Sequence, residues 1–137
     1  MTEEQQIKRT KMVIVCISLS VALLHFVTGR SYAGPFPGFV NGYLLDILIP
    51  FAWYFLLCLP EKTVNLLKPW YVKSALVFAA GSSVEIAQFF GAPIFGRTFD
   101  LMDFVMYGLG GILAAVCDRV LFRKILKFWR PEARETG

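Results

Sequence analysis

Four long apolar stretches divide the chain and limit the folds open to it. They cover about residues 10–28, 42–60, 70–90 and 101–122, and segments containing Gly or Pro separate them. A membrane-spanning helix needs roughly 17–25 residues, which these stretches provide. Because 56% of the 137 residues are hydrophobic, a soluble domain of this size could hardly bury so much apolar surface. We therefore predict an all-α fold, a bundle of four transmembrane helices that makes residues 1–137 a single membrane domain.

The basic residues predict how this bundle is oriented. Twelve of the 14 Lys and Arg residues precede the first span, lie between the second and third spans, or follow the fourth. The positive-inside rule then places both termini in the cytoplasm, an N-in/C-in topology. Residues 123–137 are expected to form a basic cytoplasmic tail. The stretch DRVLFRKILKFWR is typical of a juxtamembrane segment held by anionic lipid, with Trp129 at the membrane interface; a positive-inside tail with no further role accounts for the same residues. The net charge of +4 therefore requires no nucleic acid.

Polar side chains from all four predicted helices fall near the outer end of the bundle. At 1.5 Å per residue, Asp46, Glu85 and Asp103 lie within roughly 10 Å of the outer boundary. A carboxylate inside a bilayer costs about 2.5–3.5 kcal/mol, so such groups usually face the bundle interior and meet partners. Arg97 is the expected partner, because a guanidinium can hold two carboxylate oxygens. The candidate polar site comprises His25, Asp46, Glu85, Gln88, Arg97, Asp100, Asp103 and Tyr107.

Small residues predict close packing of the third and fourth helices. On the fourth helix, Gly110, Gly111 and Ala114 continue the stripe that begins with the acids, so another helix can approach that face. The third helix carries Gly81 and Glu85 on one side and a ridge of small residues on another, at Ala79, Ser83, Ala87 and Gly91. The third helix is therefore either central in the bundle or uses one side to form a homo-oligomer, and the sequence leaves both open.

Pro50 interrupts the second predicted helix one turn after Asp46. It leaves the carbonyl of Asp46 without its helical donor, because a proline has no backbone N–H. A kink at this point would aim the Asp46 region into the bundle. The alternative is a proline on a lipid-facing side of the helix.

Structural roles account for several candidate residues taken singly. Asp100 and Asp103 suit the first turn of a helix, where capping and the macrodipole favour acids. Glu85 and Arg97 could form an ion pair that locks the bundle. His25 suits a hydrogen-bonded position at the membrane interface. The meeting of so many polar groups at one depth is harder to explain in this way, and it favours a functional site.

The order and spacing of these residues resemble the VanZ-like family of small bacterial membrane proteins. The matching pattern is E-x-x-Q, then G-R-x-x-D-x-x-D, then a glycine-bearing helix, here Glu85, Gln88, Gly96, Arg97, Asp100, Asp103 and Gly108–Gly111. Leu24-His25-Phe26 and Asp46 also look like family positions. The resemblance implies a bacterial plasma membrane protein, in a family named after a protein linked to low-level teicoplanin resistance. Family members often carry Asn where this chain has Tyr107, which puts in doubt any role that needs a carboxamide there.

Three functions fit the candidate site. The leading hypothesis is binding of a lipid head group, a lipid-linked wall precursor or an amphiphilic antibiotic of the glycopeptide type, with membrane lipids as partners. The first alternative is an intramembrane enzyme acting on a lipid head group; the D-x-x-D spacing of Asp100 and Asp103 permits a divalent cation, but no metal site or cofactor is assigned. The second alternative is a proton-coupled small-molecule transporter, which with four spans would need a dimer. A purely structural module is the fourth reading.

Overall fold

The computed structural model describes residues 2–28, 32–91 and 101–129, and every regular element in these segments is helical. The predicted all-α fold is therefore confirmed. The first half contains α1 (Glu3–Thr28), α2 (Pro37–Phe39), a π-helical turn (Val40–Leu44) and α3 (Leu45–Leu57). The second half contains a 3₁₀ turn (Asn65–Leu67), α4 (Trp70–Phe89), α5 (Leu101–Val116), a second π-helical turn (Cys117–Leu121) and α6 (Phe122–Ile125).

Three helical stretches are long and apolar enough to cross a membrane, namely Glu3–Val27, Pro37–Leu57 and Leu101–Ile125. They correspond to the first, second and fourth predicted spans and indicate a membrane protein. The third predicted span is the 20-residue α4, whose ionisable and small polar residues lower its mean hydropathy. Two of these residues, Lys73 and Glu85, are buried among the other helices. The polar composition of α4 thus reflects its contacts inside the bundle.

The bundle is built around α5, which packs against both α3 and α4, while α1 packs against α3. On α4, the side that carries Gly81 and Glu85 is buried, whereas Ala79 and Ser83 on the small-residue ridge are exposed. A central cluster of buried apolar side chains joins α1, α3, α4, α5 and the segment after α6; it includes Ile14, Tyr54, Phe55, Val77, Ala114 and Trp129.

Gly110 allows α5 to approach the backbone of α3. A Cβ atom at this position would collide with the carbonyl oxygen of Ile47 and would lie 3.1 Å from the Cβ of Pro50. Pro50 is itself buried, so the interpretation of a lipid-facing proline is wrong. The turn of α3 directly after Asp46 therefore packs against α5 at a position where any side chain larger than that of glycine would collide with the α3 backbone.

Candidate functional site at the α3–α4–α5 interface

Three carboxyl groups from three helices meet at one end of the bundle. Asp46 lies in the first turn of α3, Glu85 in α4 and Asp103 in the first turn of α5. The carboxyl of Asp103 lies close to those of both Asp46 and Glu85. The hydroxyl of Tyr107, one turn farther along α5, donates to Oε1 of Glu85 over 3.0 Å. These four residues are called the polar site below.

The polar site is most deeply buried at Glu85. The side chain of Glu85 is 1% exposed and that of Tyr107 is 9% exposed, whereas Asp46 and Asp103 are partly buried. The site therefore has a closed floor, formed by α4 and α5, and a more accessible rim, formed by the first turns of α3 and α5. A ligand that reached it would meet the two aspartates first.

Local structure explains how these side chains reach one another. The π-helical turn Val40–Leu44 runs directly into α3, so Asp46 follows a wider helical turn, a feature that often accompanies functional sites. On the opposite side, Gly81 makes room for the ring of Tyr107, because a Cβ there would come within 2.8 Å of that ring. The hydroxyl of Tyr107 is thereby directed toward Glu85, one helical turn beyond Gly81.

The chemistry of the polar site is that of three neighbouring carboxyl groups and one hydroxyl. Carboxyl oxygens accept hydrogen bonds, and the hydroxyl of Tyr107 can both donate and accept. The site therefore offers acceptors to the amines and hydroxyls of a ligand.

The other predicted members of the site stand as follows. Gln88 is partly buried and lies about one turn after Glu85 on α4. His25 is exposed near the end of α1, and its ring lies edge-on to that of Phe26 at a centroid distance of 6.1 Å. Arg97 and Asp100 lie outside the described residues, as does Arg30. Within the described part of the chain, no group of three or more His, Cys, Asp or Glu side chains is arranged to hold a metal ion.

A second buried polar group, which the sequence did not predict, surrounds Asp118 near the other end of the same three helices. The carboxylate of Asp118 is fully buried and accepts from the Tyr54 hydroxyl at 2.8 Å and from the Trp129 indole N–H at 2.8 Å. Lys73, also fully buried, lies 3.9 Å from Asp118 and donates to Glu61 at 2.7 Å. These five residues are called the Asp118 network below.

Two sequence interpretations are corrected by this network. The positive-inside count includes Lys73 among the charges between the second and third spans, but this residue lies inside α4 and is buried. The sequence predicts Trp129 at the membrane interface, but it is 1% exposed and packs inside the protein. The signal available from the sequence was Asp118 itself, which falls on the same stripe of the fourth helix as Asp103 and Tyr107. Its partners come from distant parts of the chain, so no local spacing reveals them.

Fold and site together define a small helical membrane protein with two buried polar groups between α3, α4 and α5. Comparisons with family models, with curated proteins and with solved structures each found no match to this chain. The functional argument therefore rests on the residues themselves.

Proposed function

We propose that this protein is a bacterial plasma membrane protein with four spans, N-in/C-in, whose polar site binds the head group of an amphiphile from the outer leaflet. The ligand class is a lipid head group, a lipid-linked wall precursor or a glycopeptide-type amphiphile. The observation that carries the proposal is the meeting of Asp46, Glu85 and Asp103, from three separate helices, around the hydroxyl of Tyr107. Membership in the VanZ-like family is part of the same proposal.

The chemistry of the site supports a ligand with hydrogen-bond donors. Carboxyl oxygens are strong acceptors, and those of Asp46 and Asp103 lie at the accessible rim. An ammonium or a sugar hydroxyl on the ligand would satisfy them, and the charge of an ammonium would strengthen each bond. Arg97 and Arg30 would meet the phosphate of the same head group. A head group that combines an amine with a phosphate suits this set of residues best.

Lipid retention tests this proposal. The purified protein would be exchanged into mixed micelles containing phosphatidylethanolamine or phosphatidylcholine with the same acyl chains, and bound lipid would be counted by native mass spectrometry. The two head groups carry the same charges, but only the ethanolamine has N–H donors. We expect preferential retention of phosphatidylethanolamine, and loss of that preference in Asp46→Asn and Asp103→Asn.

The control for these variants is Glu4→Gln. Glu4 is an exposed acid of α1 that pairs with Lys8, so its neutralisation changes the net charge equally without touching the polar site. Equal retention of both lipids by the unmodified protein, together with no enrichment of an amine-bearing wall precursor or of teicoplanin, would reject the proposal. A preference that persists in both aspartate variants would place the binding site elsewhere.

A second candidate function, a proton-coupled transporter acting as a dimer, is favoured by one observation. The Asp118 network supplies buried ionisable groups on α3, α4 and α5, the helices that also form the polar site. The two groups together place ionisable side chains near both ends of these helices, as a transport path would require. The test is proton flux into liposomes under a pH gradient, with Glu85→Gln and Asp118→Asn as variants. Flux equal to that of empty liposomes would remove this alternative.

A further inference from the structure

The segment 122–129, called the strap below, folds back against the end of the bundle that carries the Asp118 network. α6 ends at Ile125, Leu126 adopts an extended conformation, and the N–H of Trp129 donates to the carbonyl of Leu126 at 3.0 Å. The indole then reaches Asp118 and packs against the rings of Phe55 and Phe122, at centroid distances of 5.9 and 5.1 Å. The strap is thus a folded part of the protein.

The outer side of the strap combines positive charge with apolar surface. Lys124 and Lys127 are exposed, and Ile125 between them is 65% exposed. The aromatic residues of the strap point inward, so the lysines are directed away from the bundle by the same fold that buries Trp129. An exposed isoleucine flanked by lysines is typical of a segment that lies at a membrane interface.

The loop before α4 lies at the same end of the bundle and adds a further lysine. Arg119 donates a hydrogen bond to the carbonyl of Lys68, which places the loop beside the second π-helical turn. Lys68 is exposed, and Leu66 is 70% exposed. Lys68, Lys124 and Lys127, with Leu66 and Ile125, are called the basic surface below.

Two acids at this end of the bundle are directed into the protein, and the exposed acids Glu3 and Glu4 are paired with Lys62 and Lys8. Glu61 accepts from the buried Lys73 at 2.7 Å, and Asp118 accepts from Tyr54 and Trp129. Their charges are therefore opposed by Lys73 and Arg119 and offset little of the positive charge of the exposed lysines. The occupant that matches a cationic surface with apolar residues at a membrane boundary is a layer of anionic phospholipid head groups.

We propose that the basic surface binds anionic phospholipid of the adjacent leaflet, and that the contact between Trp129 and Asp118 holds the strap in the conformation that does so. Each lysine near an anionic membrane contributes about 1 kcal/mol, which corresponds to about a fivefold change in affinity. A strap released from Asp118 would keep its charges but lose their fixed arrangement, so preference for anionic lipid would fall without any change in net charge.

The experiment uses the full chain in nanodiscs that contain equal amounts of phosphatidylglycerol and phosphatidylcholine with the same acyl chains. Lipids that stay bound after release from the discs are counted by native mass spectrometry. We expect enrichment of phosphatidylglycerol, and for the double variant Lys124→Gln/Lys127→Gln a fall in that enrichment of about 25-fold if the two lysines act independently. Trp129→Phe keeps a smaller aromatic ring and removes the indole donor to Asp118, so we expect a smaller fall.

The matched control is Lys8→Gln/Lys11→Gln, which removes the same charge from exposed positions of α1. An equal loss in both double variants would show a general effect of net charge and would overturn the assignment to the basic surface. Retention of phosphatidylglycerol and phosphatidylcholine in equal amounts would overturn it as well. A dimer that disappears in Lys124→Gln/Lys127→Gln would assign the surface to a second copy of this chain and reject lipid as its occupant. All variants are first checked for an unchanged Trp emission spectrum, except Trp129→Phe, which is checked by circular dichroism.

Discussion

Tyr107 and Glu85 are joined by a 3.0 Å hydrogen bond across the α4–α5 interface, at the most buried point of the polar site. We expect Tyr107→Phe to lower the free energy of unfolding by about 0.5–2 kcal/mol, because hydrogen bonds between membrane helices are individually modest. The measurement is unfolding by SDS in mixed micelles, followed by circular dichroism. Tyr71→Phe, at an exposed position of the same helix as Glu85, is the control and should have no effect.

Two substitutions of Asp103, which lies beside Asp46 and Glu85, should differ in their effect on stability. Asp103→Asn keeps a polar side chain of the same size that can donate to and accept from its neighbours, so its stability should stay within about 1 kcal/mol of the unmodified protein. Asp103→Ala removes the polar contacts with both neighbours and should lose about 1–3 kcal/mol. Unfolding of both variants in the same micelles checks this prediction. Equal losses would mean that Asp103 acts through its charge.

Two glycines of α5 should respond in opposite ways to alanine. Gly110→Ala places a Cβ against the carbonyl of Ile47 and should cost about 1–3 kcal/mol through overpacking. Gly108→Ala meets only the ring of Phe78, at an ordinary distance of 3.7 Å, and should be neutral or stabilise the helix by up to about 1 kcal/mol. The two variants are compared by thermal unfolding in detergent. A neutral Gly110→Ala would contradict the close approach of α3 and α5.

The Asp118 network should be the most sensitive polar feature of the chain. Asp118→Ala removes the acceptor of two hydrogen bonds and leaves Lys73 buried beside Glu61 alone, so we expect a loss of about 3–5 kcal/mol. The exposed pair Glu4–Lys8 is separated by 2.8 Å, the same distance as the two hydrogen bonds to Asp118. Because that pair is exposed to solvent, Lys8→Ala should change stability by less than about 0.5 kcal/mol. Unfolding by SDS with both variants measures the difference. A small effect of Asp118→Ala would show that the bundle relaxes around the lost carboxylate.

Hydrophobic patterning predicted much of the fold, because bilayer thickness sets helix length and apolar content. It predicted helices at all four stretches, and three of them meet the criteria for a span. It described α4 less well, since the side of a helix that packs against other helices can carry a lysine and a glutamate that lipid would not accept. The mean hydropathy of a segment cannot tell whether its polar residues face lipid or other helices. The contacts of Lys73 and Glu85 in the structure show that both face other helices.

The polar site was predictable in part for a related reason. Asp46, Glu85 and Asp103 lie at one depth when each helix is measured from its end, and this depth follows from the sequence. The depth of a residue does not tell which way its side chain faces around the helix axis. For α4 and α5 the packing of Gly81 against the ring of Tyr107 shows which sides of the two helices face each other. The Asp118 network could not be predicted in the same way. Trp129 reaches it only because the chain reverses after Ile125, and no periodicity encodes that reversal.

The close contact of Gly110 with the turn between Ile47 and Pro50 bears on how α5 could move against α3. Along α5 it stands seven residues from Asp103 and eight from Asp118, which is roughly 10–12 Å to either side at the rise of an α-helix. If α5 tilted against α3 about this close contact, the two helices would separate at one end and approach each other at the other, so the polar site and the Asp118 network would widen in turn and not together.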